Sequence, residues 1–276
     1  MFDAMKNLAA ARGFARLYAL PPIDLSAWRA NAAQAQVGAR LPCALPELFP
    51  WAKSVLLLVY AYAPYPPACR IPAYYIASNR AYHAHKTLAA DVAALGCRCE
   101  PIEPPLRALC LACGVGVQGK NGLLRIDPYG SRIVLFALLT DGCAPRPVDD
   151  MPSQPCPANC AACANACPAH AIRPHGPAVS QIVQARCIRY AMDDVPYPPI
   201  ISALQQKHMG CEVCMDACPF NAANLPLAPT SGVRDAFSLS RLAAGDDAAA
   251  RLLVGKNITR HGKLTLEAQN FLSRQE

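Results

Sequence analysis

The sequence predicts an α+β chain followed by a small, metal-built module. Three observations carry that prediction. Helix-like and strand-like segments alternate up to about residue 143. From 156 to 220 the chain is dominated by short turns that bear cysteines. The stretch from 229 onward returns to a helical and basic pattern. The expected domains are therefore 1–145, 146–228 and 229–276.

The elements follow in order. Residues 2–11 read as a short helix stopped near Gly13. Residues 55–63 are apolar, β-branched and aromatic, which suits a buried strand. Residues 74–95 read as a helix ended by Gly96, and 105–113 as another ended by Gly114. Residues 123–126 and 132–140 read as a β-hairpin around Asp127-Pro128-Tyr129-Gly130. Asp first, Pro second and Gly fourth suit a type I turn. One helical stretch is expected near 178–192. Pro-rich punctuation at 64–72, 145–157 and 196–199 marks turns, since Pro and Gly make up only about 15% of the chain.

Composition narrows the class. The 276 residues are enough to bury a core without a disulfide framework. Fifteen Cys is an odd number, and about 5% of the chain falls below the roughly 8–10% of a disulfide scaffold. Lys6, Arg12 and Arg16 interrupt the first twenty residues, so no secretory h-region is expected. The longest apolar runs, 55–63 and 133–139, fall short of the roughly 18 residues of a membrane span. The expectation is a soluble cytoplasmic protein whose cysteines are ligands or core thiols.

The cysteines are the strongest signal. Cys156-x3-Cys160-x2-Cys163-x3-Cys167-Pro168 is followed by Cys187 and by Cys211-x2-Cys214-x3-Cys218-Pro219. Short gaps let successive thiolates reach one [4Fe–4S] cube, and the Cys before Pro leaves toward a different cluster. On that logic Cys156, Cys160, Cys163 and Cys218 hold one cluster. Cys167, Cys187, Cys211 and Cys214 hold the other. The first gap is x3 where x2 is common, so the loop at Pro157 and Asn159 must absorb one residue. The alternative is a pair of zinc sites, each held by four cysteine thiolates, but zinc motifs rarely repeat C-x2-C-x3-C-P. Cys110-x2-Cys113 lies inside an expected helix and reads as core rather than as a redox pair.

Other signals are weaker. Gly114-Val-Gly116-Val-Gln-Gly119-Lys120-Asn121 matches both G-x-G-x-x-G and G-x4-G-K. Those phosphate motifs need strand, loop, helix. Here the expected order is helix, loop, strand, and Asn stands where a Mg²⁺-binding hydroxyl belongs. The loop remains open to close approach by another ligand. Glu100 and Glu103 precede a helix, where a carboxylate suits the dipole. The formal charge is +7. Two clusters on eight thiolates would add about four negative charges and leave about +3.

Several segments together resemble the epoxyqueuosine reductase family. The family's Arg-Asp-Tyr-His is similar to Arg80-Ala81-Tyr82-His83. Its Gly-Leu-Gly-Trp-Ile-Gly-Lys-Asn resembles the loop from Gly114 to Asn121. Its Leu-Leu and Gly-Ser pairs match Leu123-Leu124 and Gly130-Ser131. Arg186-Cys187-Ile188 and Gly210-Cys211 through Cys218-Pro219-Phe220-Asn221 are similar as well. The resemblance implies a nitroreductase-like domain that holds base-off cobalamin against the two-cluster module. Tyr82, His83, Gly116, Gly119, Lys120, Asn121 and Ser131 would then contact the cofactor. Electrons would pass one at a time from a ferredoxin- or flavodoxin-type donor, through the clusters, to cobalt. A carboxylic acid would protonate the leaving oxygen. The family's Asp aligns with Glu100, and Glu103 is equally reachable. The chain reads as a short homologue without the family's C-terminal helical-repeat domain. Its substrate is expected to be epoxyqueuosine in tRNA or another reducible molecule. The alternatives are a ferredoxin-type carrier and a corrinoid-reducing protein without turnover of its own.

Overall fold

The computed structural model describes residues 1–29, 41–66, 69–71, 73–149, 153–175, 179–191, 203–256 and 259–274. The chain forms two compact units. One comprises Met1–Ala61, Arg80–Val117 and Ile133–Gln154; the other comprises Tyr62–Asn79, Gln118–Arg132 and Pro155–Glu276. The strands are β1 (Arg16–Leu20), β2 (Ser54–Ala61), β3 (Cys99–Ile102), β4 (Val117–Gln118), β5 (Leu124–Arg125), β6 (Ile133–Thr140), β7 (Ile172–His175) and β8 (Val179–Ile182).

The first unit is built on an antiparallel sheet of order β1-β2-β6-β3. Val55 pairs with Leu20 on one side and Leu139 on the other. Val55 through Val59 are all 0% exposed, which explains why the sequence there is continuously apolar rather than alternating. On one face Leu56, Leu58 and Leu138 pack against Met5 and Ala9 of the helix Phe2–Ala11. Leu88 and Val92 of the helix Ala73–Ala93 complete that core. The first helix stops where Gly13 takes φ +86°, a conformation that only glycine adopts cheaply.

Two local expectations change. The segments 123–126 and 132–140 do not form a hairpin. β5 pairs with β4, whereas β6 lies between β2 and β3. The chain does turn between them, but one residue earlier than expected. Tyr129 N donates to Ile126 O at 2.9 Å, with Pro128 third in the turn behind a cis peptide. A central strand such as β6 finds longer partners in β2 and β3 than two residues of β5 supply. The helix expected near 178–192 is instead β8, a 3₁₀ turn (Gln184–Arg186) and a one-turn helix (Ile188–Ala191). Ile182 pairs with Ile172, so β-branched residues find a strand partner ten residues upstream.

In the second unit the basic C-terminal stretch is helical, as its pattern suggests. The helices Ser231–Ala236, Leu239–Ala243, Ala248–Val254 and Lys263–Leu272 enclose a core of their own. Phe237, Leu242, Val254 and Leu264 meet Ile71, Tyr75, Ile76 and Met209 there. Among the described residues no helix is long and apolar enough to cross a membrane.

Candidate iron–sulfur centre

All eight motif cysteines lie in the second unit. Cys156, Cys160, Cys163 and Cys218 line one small cavity. This is the first of the two quartets drawn from the spacing. Burial pushes the Cys163 thiol up, and Cys218, Cys160 and Cys156 push the same way. The other quartet is also gathered. Burial pushes Cys214 up to about 12, and Cys211, Cys187 and Cys167 are near enough to add to it. Cys211 is pushed up to about 11 by burial, with Cys187 and Cys167 contributing. Cys163 acts on Cys214 too, so the two quartets are neighbours.

Local chemistry explains the interleaving. Cys163 sits in the short helix Ala162–Ala166, and Cys214 sits in Val213–Asp216. Cys167 and Cys218 follow those helices and precede Pro168 and Pro219. A residue before proline is driven out of the helical region. Both are extended, with ψ of 111° and 121°. Each therefore leaves its helical turn and joins the opposite quartet. Ala171 N donates to Cys167 Sγ at 3.3 Å.

The donor sets suit clusters better than single ions. Ionised together, four gathered thiols would repel one another, and a bound cation removes that cost. A tetrahedral zinc with Zn–S of about 2.3 Å needs its sulfurs about 3.8 Å apart. Among the described residues no three Cys, His, Asp or Glu side chains are arranged to hold one metal ion. A cube takes its thiolates at four separate corners, so its sulfurs need not converge on one point.

Four of the seven residues expected to touch a further cofactor, Gly119, Lys120, Asn121 and Ser131, line the cavity with Cys156, Cys160, Cys163 and Cys218. Lys120 Nζ donates to the carbonyls of Pro157, Ala158 and Cys160 at 2.9, 2.6 and 3.0 Å. An ammonium has three protons, so Lys120 is saturated. This contact, with a turn from Cys160 N to Pro157 O, accommodates the extra residue of the x3 gap. Asn121 Oδ1 accepts from Leu123 N within its own loop. A Cβ on Gly119 would lie 2.8 Å from that oxygen. Ser131 N donates to Asn221 Oδ1 at 2.8 Å, and Asn221 Nδ2 donates to Ser131 Oγ at 3.0 Å. Asn221 Nδ2 also bonds Met215 O, which ties the Cys214–Cys218 turn to this strut.

The remaining candidates lie in the first unit. Tyr82 and His83 are exposed on the helix Ala73–Ala93, with ring centroids 5.5 Å apart and Lys86 Nζ 4.6 Å from the Tyr82 ring. Gly116 is half-buried at φ +73°. Glu100 lies on β3 and pairs with Arg98 at 2.6 Å, and Arg98 stacks on Trp51. Glu103 is exposed and close enough to His85 to oppose the effect of burial, which holds the imidazole neutral. The structure thus separates the two carboxylates by environment. Glu100 is held by a cation, whereas Glu103 stands beside a histidine. Sequence reasoning missed Arg125, Asn221, Lys207 and Glu212 around the cysteines. A lone Arg within the apolar run 123–126 was the available signal for Arg125.

The fold and the cysteine module define an iron–sulfur protein of the double-cluster class, and residues 156–221 match the family described as 4Fe-4S double cluster binding domain. The curated homologues of the chain are epoxyqueuosine reductases. It is 36% identical to that of Synechococcus sp. (strain CC9605) over 41% of this chain and 34% of the relative. It is 30% identical to that of Gloeobacter violaceus over 63% and 58%. The alignments thus cover less than two thirds of these relatives. A selenomethionine-labelled epoxyqueuosine reductase structure superposes with a TM-score of 0.75 at 18% identity, covering 99% of this chain and 81% of that one. An epoxyqueuosine reductase with a modified tRNA stem loop gives 0.65 at 17% identity, covering 98% and 82%.

Proposed function

We propose that the chain is an iron–sulfur reductase of the epoxyqueuosine reductase type, acting on the modified nucleoside in tRNA or on a related reducible substrate. The observation that carries this reading is the pairing of two cysteine quartets inside a double-cluster domain with homology to those enzymes. In this reading Cys156, Cys160, Cys163 and Cys218 hold one cluster, and Cys167, Cys187, Cys211 and Cys214 the other. The clusters supply one-electron transfer, and cobalamin supplies a strongly reducing cobalt. Tyr82, His83 and Gly116 are left to meet cobalamin, since Lys120 and Ser131 are engaged with the cysteine module and Gly119 and Asn121 are bonded within their own loop. Tyr82 and His83 are both exposed, with their rings edge to face 5.5 Å apart.

Expelling oxygen from carbon requires a proton as well as electrons. We assign that proton to Glu103 rather than Glu100. Glu100 is already engaged by Arg98 at 2.6 Å. His85 donates from Nε2 to Ala137 O at 3.0 Å, and Glu103 lies near enough to act on its charge, which leaves the Glu103 carboxyl free of a cationic partner such as Arg98 among the described residues. The electron source is a low-potential, one-electron donor.

The test is metal analysis of anaerobic protein exposed to hydroxocobalamin and desalted, then turnover of a tRNA stem loop carrying epoxyqueuosine. About eight irons and one cobalt per chain are expected. Glu103→Gln should lower turnover by roughly 10²–10⁴ with both metals retained. A colourless, zinc-loaded chain would sink the cluster assignment. Iron without cobalt would make the chain an electron carrier. Full turnover in Glu103→Gln with loss in Glu100→Gln would move the acid to Glu100.

A further inference from the structure

Arg125 is 2% exposed and lines the same cavity as Cys156, Cys160, Cys163 and Cys218. Its Nη1 lies 3.9 Å from Cys156 Sγ, and its guanidinium carbon sits 3.4 Å from the centre of the Phe220 ring. Among the described residues, Nη2 and Nε are buried without a hydrogen-bond acceptor. Asp127 Oδ1 lies 3.6 Å from Nε on a side chain 39% exposed, so water weakens its effect. A buried guanidinium with unmet donors is costly unless an anion faces it. Neutral thiols do not supply that anion. A cube on four thiolates does, with charge about −2 oxidised and −3 reduced.

The other quartet has a different electrostatic setting. Glu212, between Cys211 and Cys214, is 3% exposed, and its charge is matched by Lys207 at 3.5 Å. Tyr74 N also donates to Glu212. That quartet therefore faces a buried ion pair, whereas the first faces a buried cation whose partner, Asp127, is partly solvated. Reduction adds one electron and breaks no bond. A fixed cation stabilises the −3 state more than the −2 state, and N–H donation to sulfur acts in the same direction.

We propose that Arg125 tunes the cluster on Cys156, Cys160, Cys163 and Cys218, donating to its sulfurs and holding it at a higher reduction potential than its neighbour. An electron from a one-electron, low-potential donor then rests on this cluster. The inference depends on the two-cluster assignment above. Arg125 is a positioning residue and takes no part in bond making.

The test is an EPR-monitored redox titration of the full chain, reduced with dithionite, beside Arg125→Gln and Arg125→Lys. In Arg125→Gln one potential should fall, so that the reduced-to-oxidised ratio at fixed potential drops about tenfold, or about 59 mV for one electron. The other cluster should move less than about twofold. Arg125→Lys, which keeps the charge, should stay within about threefold of the parent. Unmoved potentials in Arg125→Gln holding about eight irons would overturn the proposal. Equal shifts of both clusters, or equal shifts in the Gln and Lys variants, would overturn it too. If Gln costs the chain about four irons, Lys must retain them; loss in both variants also counts against the charge. A parent chain without iron would show instead that the cluster assignment has failed.

Discussion

Lys120 shows how a residue can be conspicuous in the sequence yet have a role that the sequence does not reveal. Its G-x4-G-K setting suggests a ligand in front of the loop. Its three protons instead go to three carbonyls of the Cys156–Cys160 loop, 37 to 40 positions away. No local pattern reports such a contact. Gly130 belongs to the same bracket. It adopts φ +61°, and an added Cβ would lie 2.8 Å from Phe220 O. Lys120→Met would leave those carbonyls without their donor at a site only 7% exposed. Bonds to a charged group are worth about 1.5–3 kcal/mol each and are not additive, so a loss of about 3 kcal/mol is expected. The cost falls on one loop. Iron should therefore drop from about eight toward four per chain, with the second cluster kept. Iron assay with the EPR spectrum of the reduced protein reads this directly, and a variant that retains about eight irons would refute the bracing role.

At the scale of elements, the helices at 2–11, 74–95 and 105–113 and the strand at 55–63 were legible because their signals are local: apolar spacing, β-branching and a terminating glycine. The hairpin at 123–140 was not. Its turn is real, but strand partners are chosen by the whole sheet, and β6 is taken by β2 and β3. The segment leading to Gly210 was equally opaque. His208 N donates to Arg70 O at 2.9 Å, and its ring stacks near Phe237 and Phe271 against the C-terminal helices. Burial pushes His208 down to about 4, with Arg70 and Lys207 adding to the effect. The unfolded value is about 6.5. Between those values the unfolded chain binds more protons, so stability is full above about pH 6.5 and is lost as pH falls toward 4. The loss at pH 5 is at most about 2 kcal/mol. His208→Phe should remove that part of the slope in urea midpoints taken at pH 7 and pH 5. Acid effects on the rest of the protein are common to both proteins and cancel. Equal slopes in parent and variant would show that His208 does not titrate as a buried neutral group.

At the scale of the molecule, the two quartets were readable from cysteine spacing and the prolines that follow. The grouping of residues 62–79 and 118–132 with 155–276 was not, because it rests on contacts between distant segments. Overall charge gives the last argument. The formal value is +7, and two clusters reduce it to about +3. So modest a net charge does not attract a polyanion by itself, and binding of a tRNA stem loop requires a local cluster of cations. The C-terminal stretch offers exposed cations in Arg251 on the helix Ala248–Val254, Lys256 just beyond it and Arg260 in the 3₁₀ turn Arg260–Gly262. Arg251 has only a loose ion pair with Asp247 at 3.9 Å. If these side chains meet phosphates, log K should fall linearly with log salt, by about 0.7–0.9 per phosphate neutralised. Changing all three to Gln should reduce the magnitude of the slope by about 2–3 and weaken binding, while leaving about eight irons in place. Fluorescence anisotropy of a labelled stem loop between about 50 and 200 mM salt measures both quantities. A slope unchanged by the triple substitution would place the RNA on another surface. A flat salt dependence in the parent would argue for a small-molecule substrate, because a nucleoside free of its backbone releases few counterions.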